Sequence, residues 1–284
     1  MRPPLFQPQL AEWKLSDGYV TRGRVWEPVR RPRVVRIYLH GIQSHSGWYQ
    51  WSSSILAGDD CVVVAPDRRG SGMNEVARGD TPHPTRWLDD VSDLCDWIDE
   101  RYHSPPIELI GMSWGGKLAA ACAIQSPRRF ERLLLITPGI YPRVNVPMSR
   151  IAAIALNMGV GGRGLFEIPL NDPALFTDNA GGRAFIANDP LRLTHATARF
   201  LAWSARLDGK TRRAKHGAIN ASVTMLLAGS DEIVHNEPLR AWSSVVPVAP
   251  AKIVDFPADA HTLEFAADTA DFERAIRMWA ESGR

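Results

Sequence analysis

The chain has 284 residues, 33 Lys and Arg against 31 Asp and Glu, a net charge of +2, and 45% hydrophobic residues. That composition excludes a disordered, collagen-like or coiled-coil chain, and it leaves no electrostatic footprint for nucleic acid or an anionic membrane. The length suits one large domain, or one domain carrying an insertion.

Met1 to Leu10 holds three prolines and no apolar core, so no secretory signal is expected. Glu12 to Val29 reads as a leading antiparallel hairpin turning at Asp17-Gly18. The basic runs Arg30 to Arg36 and Lys210 to Lys215 read as solvated loops. Six nearly continuous apolar runs follow: Val34 to Leu39, Cys61 to Ala65, Ile107 to Ile110, Leu133 to Ile136, Val223 to Ala228 and Ile253 to Phe256. Such runs suit parallel strands buried on both faces. Between them, Arg86 to Tyr102 is an amphipathic helix and Trp114 to Gln125 a buried one, and Thr269 to Ser282 closes the chain as a third helix. Strand alternating with helix predicts an α/β fold with a mostly parallel sheet.

Residues 140 to 216 break that rhythm with glycine-rich turns, prolines and short apolar helices. They read as a helical insertion between two strands, placed where a lid would sit. The expected division is a core of residues 1–140 and 217–284 with a cap of residues 141–216. Ile151 to Val160 is too short to span a bilayer, so no stable membrane insertion is expected. Cys61, Cys95 and Cys122 show no paired spacing and read as small buried hydrophobes of a reducing compartment, which places the protein in the cytoplasm.

Gly111-Met112-Ser113-Trp114-Gly115 lies between a strand and a helix. So tight a turn strains the serine backbone and exposes its hydroxyl, while the flanking glycines remove side chains that would collide. Gly116 further allows close packing of helix on sheet. A serine hydroxyl needs a base, and the base an orienting acid. Asp231 follows the strand Val223 to Ala228, and His261 follows Ile253 to Phe256. The chain order Ser113, Asp231, His261 fits a strand-end triad. Glu232 and Asp259 compete for the acid and His235 for the base. The backbone N–H of Trp114 is one expected oxyanion donor, and that of Ile42 the other, in Leu39-His40-Gly41-Ile42-Gln43. His40 reads as structural.

His40-Gly41 with Ser44 to Tyr49, Asp67-Arg68-Arg69-Gly70-Ser71-Gly72, Gly111 to Gly116, Gly229 to Val234, and His261 with Glu264 together resemble the lysophospholipase and monoacylglycerol-lipase-like branch of the α/β-hydrolases, the serine aminopeptidase type. The resemblance runs from about Val34 to Ser282, the insertion excepted. It implies an α/β-hydrolase fold and an acyl-enzyme mechanism on small-molecule acyl esters, with no cofactor. Gln43, Ser44 and Trp114 depart from the family's usual small, acidic and less bulky residues there.

The substrate pocket is expected from Gln43, Met148, Ile151, Phe166 and Val234, with Ile154, Leu156 and Met158 as further apolar wall. Glu167, Asp172 and Asp178 could instead serve an amidase or peptidase with the same triad. An acyltransferase, or a non-catalytic binding protein on the same fold, are the other readings. Gly159 to Gly164 fits G-x-G-x-x-G but follows a helical stretch, so it reads as a lid hinge rather than a dinucleotide site. No His/Cys cluster has zinc spacing, so no metal is expected.

Overall fold

The computed structural model describes residues 2–28 and 30–283. The strands are β1 (Gln9–Lys14), β2 (Val20–Trp26), β3 (Val34–Leu39), β4 (Cys61–Pro66), β5 (Ile107–Met112), β6 (Arg132–Ile136), β7 (Leu165–Glu167), β8 (His195–Thr197), β9 (Ser222–Ala228) and β10 (Lys252–Phe256). The helices are α1 (Gln50–Leu56), α2 (Arg86–Tyr102), α3 (Trp114–Gln125), α4 (Met148–Met158), α5 (Ala180–Asn188), α6 (Ala198–Arg212), α7 (Asn236–Val245) and α8 (Ala270–Glu281).

Eight strands form one sheet in the order β1-β2-β4-β3-β5-β6-β9-β10. The pairs from β4 to β10 are parallel, and β1 and β2 are antiparallel. Every residue of β5 is buried, which is why its sequence is apolar apart from Glu108 rather than alternating. Helices α1 and α8 pack on each other, as do α2 and α3, and cover the sheet. The fold is the mostly parallel α/β sheet expected from the sequence.

The leading hairpin begins at Gln9, earlier than its apolar pattern suggests. Val29, read as its end, and Met1, read with the N-terminal segment, lie outside the described residues. Two helices carry little sequence signal. Helix α1 holds three consecutive serines, and α7 has Pro238 in its first turn, where a missing N–H costs nothing. The stretch between β6 and β9 holds α4, α5 and α6, and also the antiparallel pair β7–β8, too short to show a period.

The basic runs are solvated loops only in part: Arg30, Arg31 and Arg33 are exposed ahead of β3, and Arg213 and Lys215 are exposed after α6. Arg36 is buried in β3, and its Nε donates to Glu108 Oε2 at 2.7 Å. Glu108 also pairs with Arg132 at 3.1 Å, so one row across β3, β5 and β6 alternates in charge. Arg36 donates to the carbonyls of Leu56 and Ala280, at the C-terminal ends of α1 and α8, where a cation is favoured. Lys210 to Arg212 form the last turn of α6, and Arg212 Nε donates to Ile140 O at 2.6 Å. Cys61, Cys95 and Cys122 are buried.

Glu108→Ala leaves two buried or half-buried guanidinium groups without their carboxylate. It is expected to cost about 3 kcal/mol in urea denaturation, whereas Glu27→Ala, removing an exposed pair with Arg101, costs under about 1 kcal/mol.

Candidate active site

β5 ends at Met112 and α3 starts at Trp114, so Ser113 alone makes the turn. Its backbone sits at φ 54° and ψ −119°, outside the ordinary regions for an L-residue. Hydrogen bonds hold it there. Its N–H donates to Ile136 O, and its carbonyl accepts from Gly116, Lys117 and Gly139 N–H. A Cβ on Gly115 would lie 2.0 Å from Leu39 O, one on Gly111 2.6 Å from Gly115 O, and one on Gly116 2.8 Å from Pro138 Cβ. The glycines are required by close approach.

Ser113 Oγ lies 2.8 Å from His261 Nε2, and His261 Nδ1 lies 2.7 Å from Asp231 Oδ2. Asp231 Oδ1 accepts from the N–H groups of Ile233 and Val234 at 2.8 and 3.0 Å, which fixes the carboxylate. The side chains of His261 and Asp231 are fully buried. Thr137 Oγ1 donates to the His261 carbonyl at 3.0 Å, and the Thr262 N–H to Phe176 O at 2.8 Å. The competitors are elsewhere. Glu232 and His235 are exposed, and Asp259 is half-buried beyond the Ser230 turn. His83, His103, His195 and His216 are exposed.

The loop after β3 approaches from the other side. A Cβ on Gly41 would lie 3.1 Å from Ser44 Oγ and 3.5 Å from Ser113 Cβ, so the loop passes close to Ser113 with little space to spare. Gly41 O faces His40 Nδ1 at 2.8 Å and Arg68 Nη1 at 3.1 Å. His40 Nε2 accepts from the Arg68 N–H, so this imidazole is held by backbone on both sides. A trans peptide points its C=O and N–H in opposite directions. Holding the Gly41 carbonyl therefore turns the Ile42 N–H away from Arg68. Neither Ile42 N–H nor Trp114 N–H has a partner among the described residues.

Arg68 is the functional-site residue the sequence reading passed over. Its guanidinium also donates to Ile42 O at 2.7 Å and stacks on Trp114, 4.6 Å from the ring centroid. It is buried, and no carboxylate lies within ion-pair distance among the described residues. The signal was its position in Asp67 to Gly72, beside the arginine that the family motif names.

A cavity of about 630 Å³ opens at Ser113. Ile42, Ile151, Ile154, Met158, Leu201 and Val234 line it, with Trp114, Lys117, Ser204 and Asp208 at one part of its wall. Ile151 and Val234 thus stand where the sequence suggested. Four expected wall residues, Gln43, Met148, Leu156 and Phe166, do not. Gln43 is buried beside the cavity and joins loop to insertion: its Oε1 accepts from Arg192 and its Nε2 donates to Asn171 Oδ1. Met148 is 81% exposed on the outer face of α4, with Leu156. Phe166 is half-buried on β7, away from the cavity wall. The helical period put α4's inner stripe at Ile151, Ile154 and Met158.

The insertion's acids are engaged elsewhere. Glu167 pairs with Arg150 at 2.8 Å, Asp178 with Arg183 at 3.1 Å, and Asp172 caps the turn at Pro173. The glycine run is a tied turn rather than a free hinge. Gly162 N–H donates to Asn157 O, Gly164 N–H to Asn157 Oδ1, and Gly162 O accepts from Arg199. No group of His, Cys, Asp and Glu among the described residues could hold a metal ion.

Glu264 ties the His261 loop to α1. Its Oε1 accepts from the Ser52 N–H at 3.1 Å, and its Oε2 is buried without a partner among the described residues. Burial raises its carboxyl from 4.5 to about 7.

The family model for Serine aminopeptidase, S33 matches residues 30–268. Human monoglyceride lipase is 30% identical over 145 residues, 50% of this chain and 48% of that protein. The mouse monoglyceride lipase is 29% identical over 178 residues, 62% of this chain and 58% of that one. This chain thus spans about half to three-fifths of the length of those relatives. In fold, the monoacylglycerol lipase of Paleococcus ferrophilus superposes with a TM-score of 0.78 at 21% identity, covering 98% of this chain and 100% of that one. A soluble variant of monoglyceride lipase from Saccharomyces cerevisiae, in complex with a substrate analog, superposes at 0.83 and 16% identity, covering 99% and 97%.

Folded Glu264 keeps its proton between the ordinary carboxyl value of 4.5 and about 7. The unfolded chain loses it across that window, so this group's contribution to stability falls as pH rises through it. Glu264→Gln keeps the acceptor for Ser52 and has no charge to bury. It is expected to flatten the decline and to gain up to about 3 kcal/mol over the native protein at about pH 8, read by urea denaturation at about pH 5 and about pH 8.

Proposed function

We propose that this chain, which belongs to the Serine aminopeptidase, S33 family of α/β-hydrolases, hydrolyses carboxylic esters through an acyl-enzyme on Ser113. The observation that carries the reading is the unbroken line from Ser113 Oγ through both nitrogens of His261 to Asp231. In this reading His261 Nε2 takes the Ser113 proton as Oγ attacks the acyl carbonyl, and then gives it to the leaving alcohol. Asp231 holds the tautomer with Nδ1 protonated and stabilises the imidazolium. The N–H groups of Ile42 and Trp114 receive the oxyanion. Water then repeats the cycle on the acyl group. Arg68 positions the Gly41–Ile42 peptide through the carbonyls of both residues. No step calls for a cofactor or a metal.

The substrate class is a monoacylglycerol-like or lysophospholipid-like ester, or another ester with a medium-sized acyl chain. Two features support it. The cavity is walled mainly by apolar side chains. Outside it, α4 and the turn after it expose Met148, Leu156 and Val160, an apolar face suited to meeting a lipid aggregate. Residues 141–216 act as a lid over a core of 1–140 and 217–284. No helix of the described residues is long and apolar enough to cross a membrane. A cytoplasmic location belongs to the same proposal. An amine-binding peptidase pocket lacks support, because the insertion's acids already have partners.

Ser113→Ala and His261→Ala are each expected to lower turnover of p-nitrophenyl esters by at least about a thousandfold while circular dichroism stays native. Intact mass after fluorophosphonate treatment should show one adduct in the native protein and none in Ser113→Ala, with EDTA changing neither result. Turnover retained by Ser113→Ala removes the assignment. Arg68→Met is expected to lower kcat about 10- to 100-fold with KM within about threefold, because the oxyanion exists only in the transition state. A rise in KM at constant kcat would make Arg68 a packing residue.

A further inference from the structure

The cavity that opens at Ser113 is apolar over most of its wall, yet one part of it is polar. Ser204, on α6, stands there within hydrogen-bond reach of two groups of α3. Trp114 Nε1 donates to Ser204 Oγ at 2.9 Å, and Lys117 Nζ at 3.0 Å. An indole N–H and an ammonium can only donate. Both lone pairs of the Ser204 oxygen are therefore taken, and its own proton must be donated. No acceptor for it exists among the described residues, not even the carbonyl one helical turn back, which Thr211 finds in Leu207. Ser204 is more than nine-tenths buried, and it lines the cavity. A buried hydroxyl with a proton to give and no protein acceptor calls for an acceptor in the cavity.

The charge around it states what kind. Lys117 Nζ lies 2.5 Å from Asp208 Oδ1, and Asp208 also faces the cavity. Arg212 Nη2 lies 3.7 Å from Asp208 Oδ2 but outside the cavity wall, so the pair that faces the cavity is neutral as a unit and favours an uncharged oxygen. Its place in the fold states where. Lys117 lies four residues beyond Ser113 on α3, about 6 Å along the axis, a few carbon–carbon bonds from the scissile carbonyl.

We propose that Ser204, presented by Trp114 and Lys117, is a subsite for a neutral acceptor oxygen (a ketone, hydroxyl or ether) carried partway along the substrate's otherwise apolar acyl chain. The proposal rests on the ester-hydrolase reading of Ser113 and narrows its substrate class from plain fatty acyl esters to oxygenated ones. A chain lacking that oxygen leaves the Ser204 proton unpaired against methylene groups, which is the stronger half of the discrimination.

The test compares p-nitrophenyl octanoate with its mono-oxo isomers, the ketone moved carbon by carbon from the third position to the far end, with spontaneous hydrolysis subtracted. The readout is the ratio of kcat/KM, oxo over plain, within each protein, so general damage from a substitution cancels. The native protein should favour one or two adjacent isomers about tenfold. Ser204→Ala should bring that ratio to about one, and Ser204→Thr, which restores the hydroxyl, should recover most of it. A ratio near one at every position in the native protein overturns the subsite. A preference that survives in Ser204→Ala overturns its assignment to Ser204. If no ester turns over, the hydrolase reading fails, and the subsite is then read by titrating the tryptophan fluorescence of Ser113→Ala with the same esters. Tighter binding of one oxo isomer upholds it there, and equal binding of all of them ends it.

Discussion

Ser113 is held in a backbone conformation that costs on the order of 1–3 kcal/mol, and the rest of the site depends on that constraint. The strain persists because the sheet register over-determines it. Ile136, at the end of β6, accepts the Ser113 N–H, and Gly139, just beyond β6, donates to its carbonyl. Both contacts require β5 and β6 to pair in register, Met112 opposite Ile136. The same turn leaves the first N–H groups of α3 without intrahelical partners and brings the strand-end loop of β3 within a glycine's width. The turn at Ser113, the open N–H groups of Ile42 and Trp114 and the loop contact thus follow from one sheet-end geometry.

Buried charge is used in two ways in this molecule. At the N-terminal ends of β3, β5 and β6, Arg36, Glu108 and Arg132 alternate, so each charge has a partner and the helix C-termini use the remaining donors. At the opposite end of the sheet Arg68 is buried against two rings and two carbonyls, and burial lowers it to about 9. A cation so placed is an expense to the resting fold. The first arrangement is what a structural ion row requires, and the second uses a buried cation to fix the Gly41–Ile42 peptide.

The sequence made the central sheet legible because each inner strand is buried on both faces and reads as an unbroken apolar run. β3 was found to the residue and β5 within two. The Ser113, Asp231 and His261 positions were legible because each follows a strand, although β10, read as buried on both faces, is the edge strand and buries only Phe256. What stayed hidden depended on contacts between distant segments. Arg36 looked like part of a basic loop because its partner, Glu108, is 72 residues away. Gln43 looked like a pocket residue because its partners lie in the insertion, 128 and 149 residues on. Met148 and Phe166 are apolar, but apolarity alone does not say which side of a short helix or strand faces a cavity. In α4 the inner stripe is narrow, and four of its hydrophobic side chains point to solvent or are only half-covered.

Trp114 joins these themes. Its bulk looked at odds with its position after the nucleophile, and its surroundings account for it. Its ring carries the Arg68 guanidinium, stacks on Phe200 at 5.9 Å and meets Trp87 edge-on at 4.8 Å between centroids. Its backbone N–H is left open beside Ser113, and its indole N–H is spent on Ser204. A smaller residue would leave the Arg68 guanidinium without its flat support, and the guanidinium is what holds the carbonyls of Gly41 and Ile42. It would also free the lone pair on Ser204 that now forces the hydroxyl proton into the cavity. One side chain therefore sets the oxyanion loop on one side and the polarity of the cavity wall on the other. Of the departures from the family pattern at positions 43, 44 and 114, the one at 114 therefore bears on both the support of Arg68 and the donor in the cavity wall.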